Sequence, residues 1–367
     1  MGFSFGFTQD QLDSSVPEKE VQNIDVSNPL DSVEVTQQPR VINLADMLSS
    51  SVGTRITYDT VKLVSQQTIY RRELFDVKQQ LMTEDDFKEG KQNDLFEILI
   101  GDTEEDLKNG VYEGGLKSWE CSYDLIGKLE TLKLDSNGLI PSQPFNCIEL
   151  GCGTSLPSLY IFDKVIRDRR EHAEHRQPVN MVLSDYNYEV LRLVTLPNLF
   201  INWCLLAIPQ ERLQSLQGGQ EGSVRQDEIY VSPLLAEAFI QWLKNHHIEV
   251  NLISGSWCRG FIDIVHTVVP DIEQTTNLVL TSETIYSPAI LPVIGEIILE
   301  LTFGNQPYTI LTAKDIYFGV GGSVNQLLEY LQKRNKREDG AFIWQIEKVN
   351  SSLRRSIVSI CKRAECK

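Results

Sequence analysis

The sequence has no Cys-x-x-Cys pair and no His-x-x-x-His pair, and its seven cysteines are scattered along 367 residues. Zinc sites need ligands at such paired spacings, and disulfide frameworks usually use an even number of cysteines. There is no run of about 18 apolar residues without charges, and the opening "MGFSFGFTQD" lacks the basic start of a secretory signal. We therefore expect reduced thiols, no metal, no membrane span, and a cytoplasmic and nuclear location.

Basic residues are fewer than acidic ones, with 34 Lys and Arg against 51 Asp and Glu and a net charge of −17. Residues 1–40 carry a net −5 and residues 84–113 a net −8, whereas residues 331–367 carry +6. Such runs are typical of solvated faces. An acidic chain disfavours a phosphate backbone as its main partner and allows a basic protein. We expect a monomer that makes no direct contact with nucleic acid.

Composition divides the chain into three regions. Residues 1–40 are polar and acidic and predict a disordered tail, in which Phe3, Phe5 and Phe7 either line one side of an extended strand or form an exposed tip. Residues 41–115 contain the strand-like "RITYDTVKLV" and "NDLFEILI" and the helical "TEEDLKNG", which predict an N-terminal extension packed on the core. Residues 116–367 are the main domain, with a predicted surface insertion at 209–231.

Short apolar runs alternate with helical stretches in the main domain. The runs are "FNCIEL", "NMVLSD", "EVNLIS", "NLVLTSE" and "YTILTAK". Strands this apolar are buried on both faces, so the pattern predicts an α/β fold with a mostly parallel sheet and helices on both faces. The strand-like "FIWQIEKV" and "RRSIVSICKR" near the end predict an antiparallel terminal pair.

A glycine turn, "ELGCGTSLP", follows the first of these strands. Gly151 and Gly153 allow a sharp turn and a close approach to a ligand. The dinucleotide fingerprint would place a third glycine where the sequence has Leu156, so a pyrophosphate is not specified. We expect Glu149 to face an amine or hydroxyl of the ligand. A structural turn without a ligand is the alternative interpretation.

Polar residues also end the next three predicted strands. Asp185 in "LSDYN" is placed to accept hydrogen bonds from a ribose, Trp257 in "SGSW" offers an indole to stack on a base, and "TSETIYSP" ends the fourth strand. Ligands of open parallel sheets bind outside the carboxyl ends of the strands. The four segments therefore predict one binding crevice.

These motifs resemble the S-adenosylmethionine-binding core of seven-strand class I methyltransferases. The ordered set "GGLKSWECSYDL", "ELGCG", "DYN", "VTLPN", "SGSW", "LTSETIYSP" and "AKDIYFGVGG" is more narrowly similar to the histidine protein methyltransferase family, and "FSFGF" is similar to its fungal members. The likeness covers about residues 110–360. It implies a seven-strand sheet and a role in ribosome biogenesis or translation, because the family's known substrate is a histidine of the third large-subunit ribosomal protein.

The resemblance implies S-adenosylmethionine as the cofactor, leaving S-adenosylhomocysteine as the product. Residues 118–122 would cover it, and Gly151 would contact its methionine portion, with Cys152 and Gly153 completing the turn. Residues 185–187 would hold the ribose and adjoining adenine, 255–257 would frame the adenine, and Ser282 would border the sulfonium. With Glu149, the residues expected to bind the cofactor are Ser118, Trp119, Glu120, Cys121, Ser122, Glu149, Gly151, Cys152, Gly153, Asp185, Tyr186, Asn187, Gly255, Ser256, Trp257 and Ser282.

The acceptor chemistry is expected in "TSETIYSP". Methyltransferases that act on amines carry their substrate-facing motif at this strand end, which makes Glu283 and Tyr286 candidate catalytic residues that contact an imidazole. Glu283 could instead cap the following helix. Fold and cofactor do not dictate the acceptor, so a protein-lysine methyltransferase and a non-catalytic ribosome-assembly factor stay as alternatives, with a nicotinamide dehydrogenase further behind.

Overall fold

The computed structural model describes residues 28–83, 114–134, 138–141, 143–172, 177–218, 227–269, 274–302, 304, 307–337, 339–351 and 353–363. The helices are α1 (Pro29–Ser32), α2 (Leu44–Ser49), α3 (Leu74–Thr83), α4 (Glu120–Thr131), α5 (Leu156–Glu171), α6 (Tyr188–Ala207), α7 (Gln210–Leu216), α8 (Pro233–Asn245), α9 (Arg259–Val268), α10 (Leu291–Leu301) and α11 (Val324–Arg337). The strands are β1 (Arg40–Ile42), β2 (Arg55–Lys62), β3 (Thr68–Arg72), β4 (Phe145–Leu150), β5 (Val179–Asp185), β6 (Glu228–Tyr230), β7 (Ile248–Ser254), β8 (Thr276–Ser282), β9 (Tyr308–Lys314), β10 (Phe342–Val349) and β11 (Arg355–Lys362).

The main sheet has the strand order β1-β7-β5-β4-β8-β9-β11-β10. Strands β7, β5, β4, β8 and β9 are parallel, and β11 runs antiparallel between β9 and β10. Every residue of β4 and β5 is buried, as expected for central strands covered on both faces. The predicted mostly parallel sheet with an antiparallel terminal pair is confirmed.

Helices cover the two faces of the sheet and form two hydrophobic cores. On one face Phe162 of α5, Phe200 of α6 and Phe239 of α8 are fully buried, and the rings of Phe200 and Phe239 meet edge to face at 5.5 Å. On the other face Ile298 of α10 and Leu331 of α11 are fully buried. Each such side chain contributes about 1.5–3 kcal/mol by leaving water.

Residues 28–42, which we call the strap, are part of the folded domain. Leu30 is buried in the second core, Asn28 donates to Glu300 Oε1 at 3.3 Å, and Arg259 pairs with Asp31 at 2.8 Å. Strand β1 of the strap pairs antiparallel with β7. The predicted disordered tail is therefore wrong for residues 28–40, because backbone pairing and one buried leucine fix a segment of low hydrophobicity. Phe3, Phe5 and Phe7 lie outside the described residues.

A second sheet, in the order β3-β2-β6, belongs to the predicted N-terminal extension. It is fastened to α6 by side-chain amides, since Asn202 Oδ1 accepts from the backbone N–H of Tyr70 at 3.0 Å and Asn198 Oδ1 accepts from that of Arg72 at 2.7 Å. The predicted strand in "RITYDTVKLV" is β2. The predictions for "NDLFEILI" and "TEEDLKNG" fall outside the described residues.

The segment 209–231 is more than a surface insertion. Its strand β6 pairs with β2, and Leu213, Ile229 and Val231 are buried. The prediction was wrong because the segment's few apolar residues are separated by a polar Gln- and Gly-rich stretch. Residues 219–226 lie outside the described part of the chain.

The structure also bears on the predicted reduced thiols and on the predicted absence of a membrane span. Of the described cysteines, Cys121, Cys147, Cys152, Cys204 and Cys258 are free. Cys361 is disulfide-bonded, so the expectation of reduced thiols is wrong for it. One helix within the described chain, α6, is long and apolar enough to cross a membrane, but 78% of its most apolar window is buried inside the protein.

Candidate active site

A cavity of about 490 Å³ opens at the carboxyl ends of β4, β5, β7 and β8. The predicted crevice is thus present, and four strand ends meet in it. The predicted site residues in its wall are Trp119, Ser122, Gly151, Cys152, Gly153, Asp185, Tyr186, Ser256, Trp257, Ser282, Glu283 and Tyr286.

The glycine turn needs both of its glycines. Gly151 and Gly153 have φ of +63° and +51°, a region that L-residues with side chains rarely adopt. A Cβ on Gly151 would lie 2.6 Å from Cγ2 of Thr284, and one on Gly153 would lie 3.0 Å from the carbonyl oxygen of Gly115. The backbone of the turn therefore forms a floor with no side chains at these two positions.

Asp185 joins this turn to the end of β5. Its Oδ2 accepts from the backbone N–H of Gly153 at 3.0 Å, and its Oδ1 accepts from that of Asn187 at 3.1 Å. Below the turn, the hydroxyl of Thr195 donates to the carbonyl oxygen of Gly153 at 2.7 Å. Thr195 belongs to the π-helical turn Leu191–Thr195 of α6, and such turns are frequent at functional sites.

The strap supplies part of the wall that the sequence did not predict. Thr36 Oγ1 lies 3.0 Å from the hydroxyl of Tyr186 and 3.2 Å from that of Ser256. Ser256 also bonds the strap backbone twice, since its N–H donates to the carbonyl oxygen of Gln37 at 2.9 Å and its Oγ accepts from the N–H of Gln37 at 3.0 Å. The strap thereby closes the cavity over the end of β7.

The other end of the cavity is built around Glu283. Its backbone is left-handed, with φ of +59°, and its side chain is 9% exposed. Within the described part of the chain, Oε1 of Glu283 has no hydrogen bond, and the nearest cation, Nζ of Lys314, lies 3.7 Å away. Helix α10 begins eight residues later, after Ile290, without a side-chain cap. The alternative in which Glu283 caps this helix is therefore wrong.

Two buried titratable groups, the Tyr317 phenol and the Cys121 thiol, lie beside this carboxylate. Burial, and next the charge of Glu283, raises the pKa of the Tyr317 phenol and of the Cys121 thiol far above their ordinary values. Both groups therefore stay protonated at neutral pH. The ring of Tyr317 meets that of Tyr286 at 6.5 Å, so Glu283 and Tyr286 share one end of the cavity.

Glu149 does not face the cavity, contrary to our expectation. Side chains alternate along β4, which turns Glu149 to the same face as Cys147, toward α5. Its Oε2 accepts from the backbone N–H of Ser158 at 3.1 Å and from the Ser158 hydroxyl. Burial raises the pKa of Glu149 to about 8. Glu149 thus fixes the start of α5 beneath the glycine turn.

Other predicted cofactor residues lie behind the wall. The hydroxyl of Ser118 meets that of Thr154 at 2.9 Å, Asn187 holds Asp185 through its backbone, and Gly255 packs on the backbone of Gln38. Ser118, Cys121, Asn187 and Gly255 therefore support the cavity without lining it, whereas Glu120 is exposed and does not line it.

Several wall residues were missing from the prediction. They are Val33, Glu34, Thr36, Gly115, Lys117, Thr154, Thr284, Ser287, Ala289 and Ile290. Lys117, Thr284 and Ser287 lie inside sequence motifs that were already assigned to the site. Those motifs could therefore have predicted these three wall residues. Val33, Glu34 and Thr36 had none, because they lie in the stretch expected to be disordered.

The cavity suits a nucleoside that bears an amino acid. The bare glycine floor admits a close approach, Asp185 offers carboxylate acceptors, and Trp257 presents an indole whose Nε1 is buried without a hydrogen bond in the described chain. Among the described residues, no group of three His, Cys, Asp or Glu is arranged to hold a metal ion. The strand order and this site define an S-adenosylmethionine-dependent class I methyltransferase.

Comparison with known proteins gives the family. The chain is 40% identical to "Histidine protein methyltransferase 1" of Saccharomyces cerevisiae, over 98% of each chain. It is 34% identical to the Schizosaccharomyces pombe protein of that name, over 90% of this chain and 85% of the relative. No family model matches. The chain belongs to the histidine protein methyltransferase 1 family, whose members include a Bos taurus homolog at 28% identity over 70% of this chain and 57% of the relative.

Solved structures resemble the chain only distantly. The Aeropyrum pernix fibrillarin in complex with S-adenosyl-L-methionine is 8% identical, with a TM-score of 0.34 over 88% of this chain and 99% of that one. A Pyrococcus furiosus methyltransferase is 10% identical, with a TM-score of 0.30 over 65% of this chain and 82% of that one. The strand order of the main sheet therefore remains the ground for the fold assignment.

Proposed function

We propose that this chain methylates a ring nitrogen of a histidine in the third large-subunit ribosomal protein, in a role in ribosome biogenesis or translation. The observation that carries the acceptor assignment is the buried Oε1 of Glu283, which has no hydrogen bond to any described residue and belongs to the cavity wall directly after Ser282. The ribosomal substrate is supported by the family resemblance of the motifs and by the acidic charge of the chain.

Catalysis of this reaction depends mainly on the alignment of the nucleophile with the methyl group. S-adenosylmethionine, when bound, supplies a methyl group activated on a sulfonium. Transfer is an in-line displacement, so the chain has to place the nucleophile on the axis of the bond that breaks and to exclude water. With an ordinary pKa near 6.5, roughly four histidines in five are neutral at cell pH, and neutral imidazole is already a nucleophile. No strong base is needed.

The residues divide this work between the two ends of the cavity. The turn at Gly151–Gly153, with Asp185, Ser256 and Trp257, would hold the cofactor. At the other end, Glu283 Oε1 would accept a hydrogen bond from one imidazole N–H, which turns the other ring nitrogen toward the methyl group. The proton left on the imidazolium can then pass to this carboxylate, and Tyr286 would lie against the ring.

The acidic chain suits a basic partner. A net charge of −17 favours a basic ribosomal protein over the phosphate backbone of RNA. We accordingly propose a monomer, present in cytoplasm and nucleus, that contacts the protein and not nucleic acid. Substrate affinity should fall as salt rises, because opposite charges attract each other less when screened. An affinity that does not depend on salt would contradict this part of the proposal.

The direct test is incubation of the pure protein with methyl-labelled S-adenosylmethionine and large-subunit proteins, followed by mapping of the label. We expect label on one histidine of the third protein. Label on a lysine would replace the acceptor assignment, and no label on any ribosomal protein would overturn the substrate.

The variant Glu283→Gln tests the acceptor role. It keeps the size of the side chain but cannot take the proton, so we expect the turnover number to fall at least about tenfold while calorimetry shows unchanged cofactor binding. Glu347→Gln is the matched control, because Glu347 is an exposed glutamate on β10. Equal loss of cofactor binding and turnover in Glu283→Gln would show a structural role instead.

A further inference from the structure

The loop after β9 exposes three apolar side chains. Phe318 is 86% exposed, Ile316 54% and Val320 41%, and all three lie in the string "IYFGVGG". Single exposed apolar residues are ordinary on protein surfaces, whereas clusters mark sites of interaction. We call Ile316, Phe318 and Val320 the apolar loop.

The apolar loop is held firmly at its base. Tyr317, between Ile316 and Phe318, is buried, and its N–H donates to the carbonyl oxygen of Gly322 at 2.9 Å. The N–H of Gly322 in turn donates to the carbonyl oxygen of Tyr286 at 2.8 Å. A Cβ on Gly322 would lie 2.0 Å from the carbonyl oxygen of Ile285, so the two backbones are in direct contact. The exposed side chains therefore stand on a fixed base.

This base adjoins the acceptor end of the cavity. Gly321 packs toward Pro288, to whose Cγ an added Cβ would come within 3.3 Å, and the neighbours of Pro288, Ser287 and Ala289, line the cavity. Tyr286, which the loop bonds through its backbone, lines it too. The apolar loop thus lies on the rim beside Glu283 and Tyr286.

We propose that the apolar loop is a docking surface for the protein substrate, with Phe318 entering an apolar depression beside the methylated histidine. This inference rests on the proposed function. A polypeptide whose histidine side chain reaches Glu283 must cover the adjoining rim, and the surface of the rim next to Tyr286 is apolar. Aromatic side chains in such a position contribute much of the affinity of protein interfaces. The loop would then select the surroundings of the histidine, leaving the chemistry to Glu283.

Steady-state kinetics of Phe318→Ser with the third large-subunit ribosomal protein tests the docking role. We expect the KM for the protein to rise about tenfold, while kcat at saturation stays within about twofold and cofactor affinity is unchanged, because a docking contact acts before the chemical step. Phe318→Leu should recover most of the affinity, since it restores an apolar side chain.

Val64→Ser is the control, because Val64 is 88% exposed but lies in the β2–β3 turn and does not line the cavity. Its KM should match that of the unaltered enzyme, and both serine variants should melt at the unaltered temperature. If the unaltered enzyme methylates the protein and Phe318→Ser has the KM of Val64→Ser, the docking role alone is refuted. If the unaltered enzyme leaves that protein unmethylated, the proposed function fails and the inference built on it fails too.

Discussion

Gly255 lies where the strap touches the end of β7, and replacing it with alanine tests whether the strap belongs to the cofactor site. Gly255 has φ of +120°, and an added Cβ would lie 2.7 Å from the carbonyl oxygen of Gln38 and 2.8 Å from Cα of Pro39. Both are backbone atoms of the strap and cannot rotate away. The strap must therefore shift outward in this variant.

The size of the effect follows from the contacts that the shift disturbs. The two hydrogen bonds between Ser256 and the backbone of Gln37 are worth about 1 kcal/mol each, or about 2 kcal/mol together. The positive φ adds a cost of about 1–2 kcal/mol for any side chain. Because Val33, Glu34 and Thr36 move with the strap, the cavity loses one wall, and we expect the Kd for S-adenosylmethionine to rise about tenfold.

Gly53→Ala provides the matched control. Gly53 also has a positive φ, +88°, but an added Cβ would have no heavy atom of the described residues within 4 Å. Gly53→Ala therefore carries the same kind of conformational cost of a positive φ but does not clash with the strap. Calorimetry should show the tenfold change for Gly255→Ala only, with a Tm lower than that of Gly53→Ala by roughly 4 °C. Equal cofactor affinities in the two variants would refute a role of the strap in binding.

Two further predictions concern the glycine turn and its support. Glu149 has a pKa of about 8 in the folded protein, against an ordinary value of 4.5. Between pH 4.5 and pH 8 the folded protein therefore holds a proton on Glu149 that the unfolded chain lacks. The free energy of unfolding falls as the pH rises through this range. Glu149→Gln removes this pH-dependent loss of stability. The Tm of the variant minus the Tm of the unaltered protein should therefore be larger at pH 8 than at pH 5. The same Tm difference at both pH values would contradict this prediction. Cys152→Ala should keep the initial rate of methyl transfer within about twofold of the unaltered enzyme. Burial, and next the charge of Asp185, raises the pKa of the Cys152 thiol well above its ordinary value, so the thiol stays neutral. A loss of rate beyond about tenfold would show that the thiol takes part in the reaction.

The central strands could be predicted because their side chains are buried on both faces. Phe145, Cys147, Ile148 and Leu150 of β4 all lie in one core or the other, so the strand appears in the sequence as a mainly apolar run that only Asn146 and Glu149 interrupt. The ends of these strands, and hence most of the cavity wall, followed from the same pattern. Which face Glu149 takes could not be read from this run, because each face carries one polar residue, Asn146 on one and Glu149 on the other.

The strap could not be predicted, for a different physical reason. It joins the fold through backbone pairing of β1 with β7 and through hydroxyls and backbone groups around Ser256, and these interactions leave no hydrophobic periodicity. Its one deeply buried apolar residue, Leu30, stands among acidic and polar neighbours. Low hydrophobicity predicted disorder, and tertiary pairing overrode that prediction.

Strand β1 pairs with β7, a partner that lies about 210 residues later in the chain. During synthesis the strap leaves the ribosome early, yet it has nothing to pair with until β7 has followed. Contacts between such distant segments form late in folding, because the intervening loop must first close. Completion of the cavity is therefore tied to completion of the domain, and a nascent fragment ending before β7 would have neither the strap's wall nor the wall formed by Ser256 and Trp257.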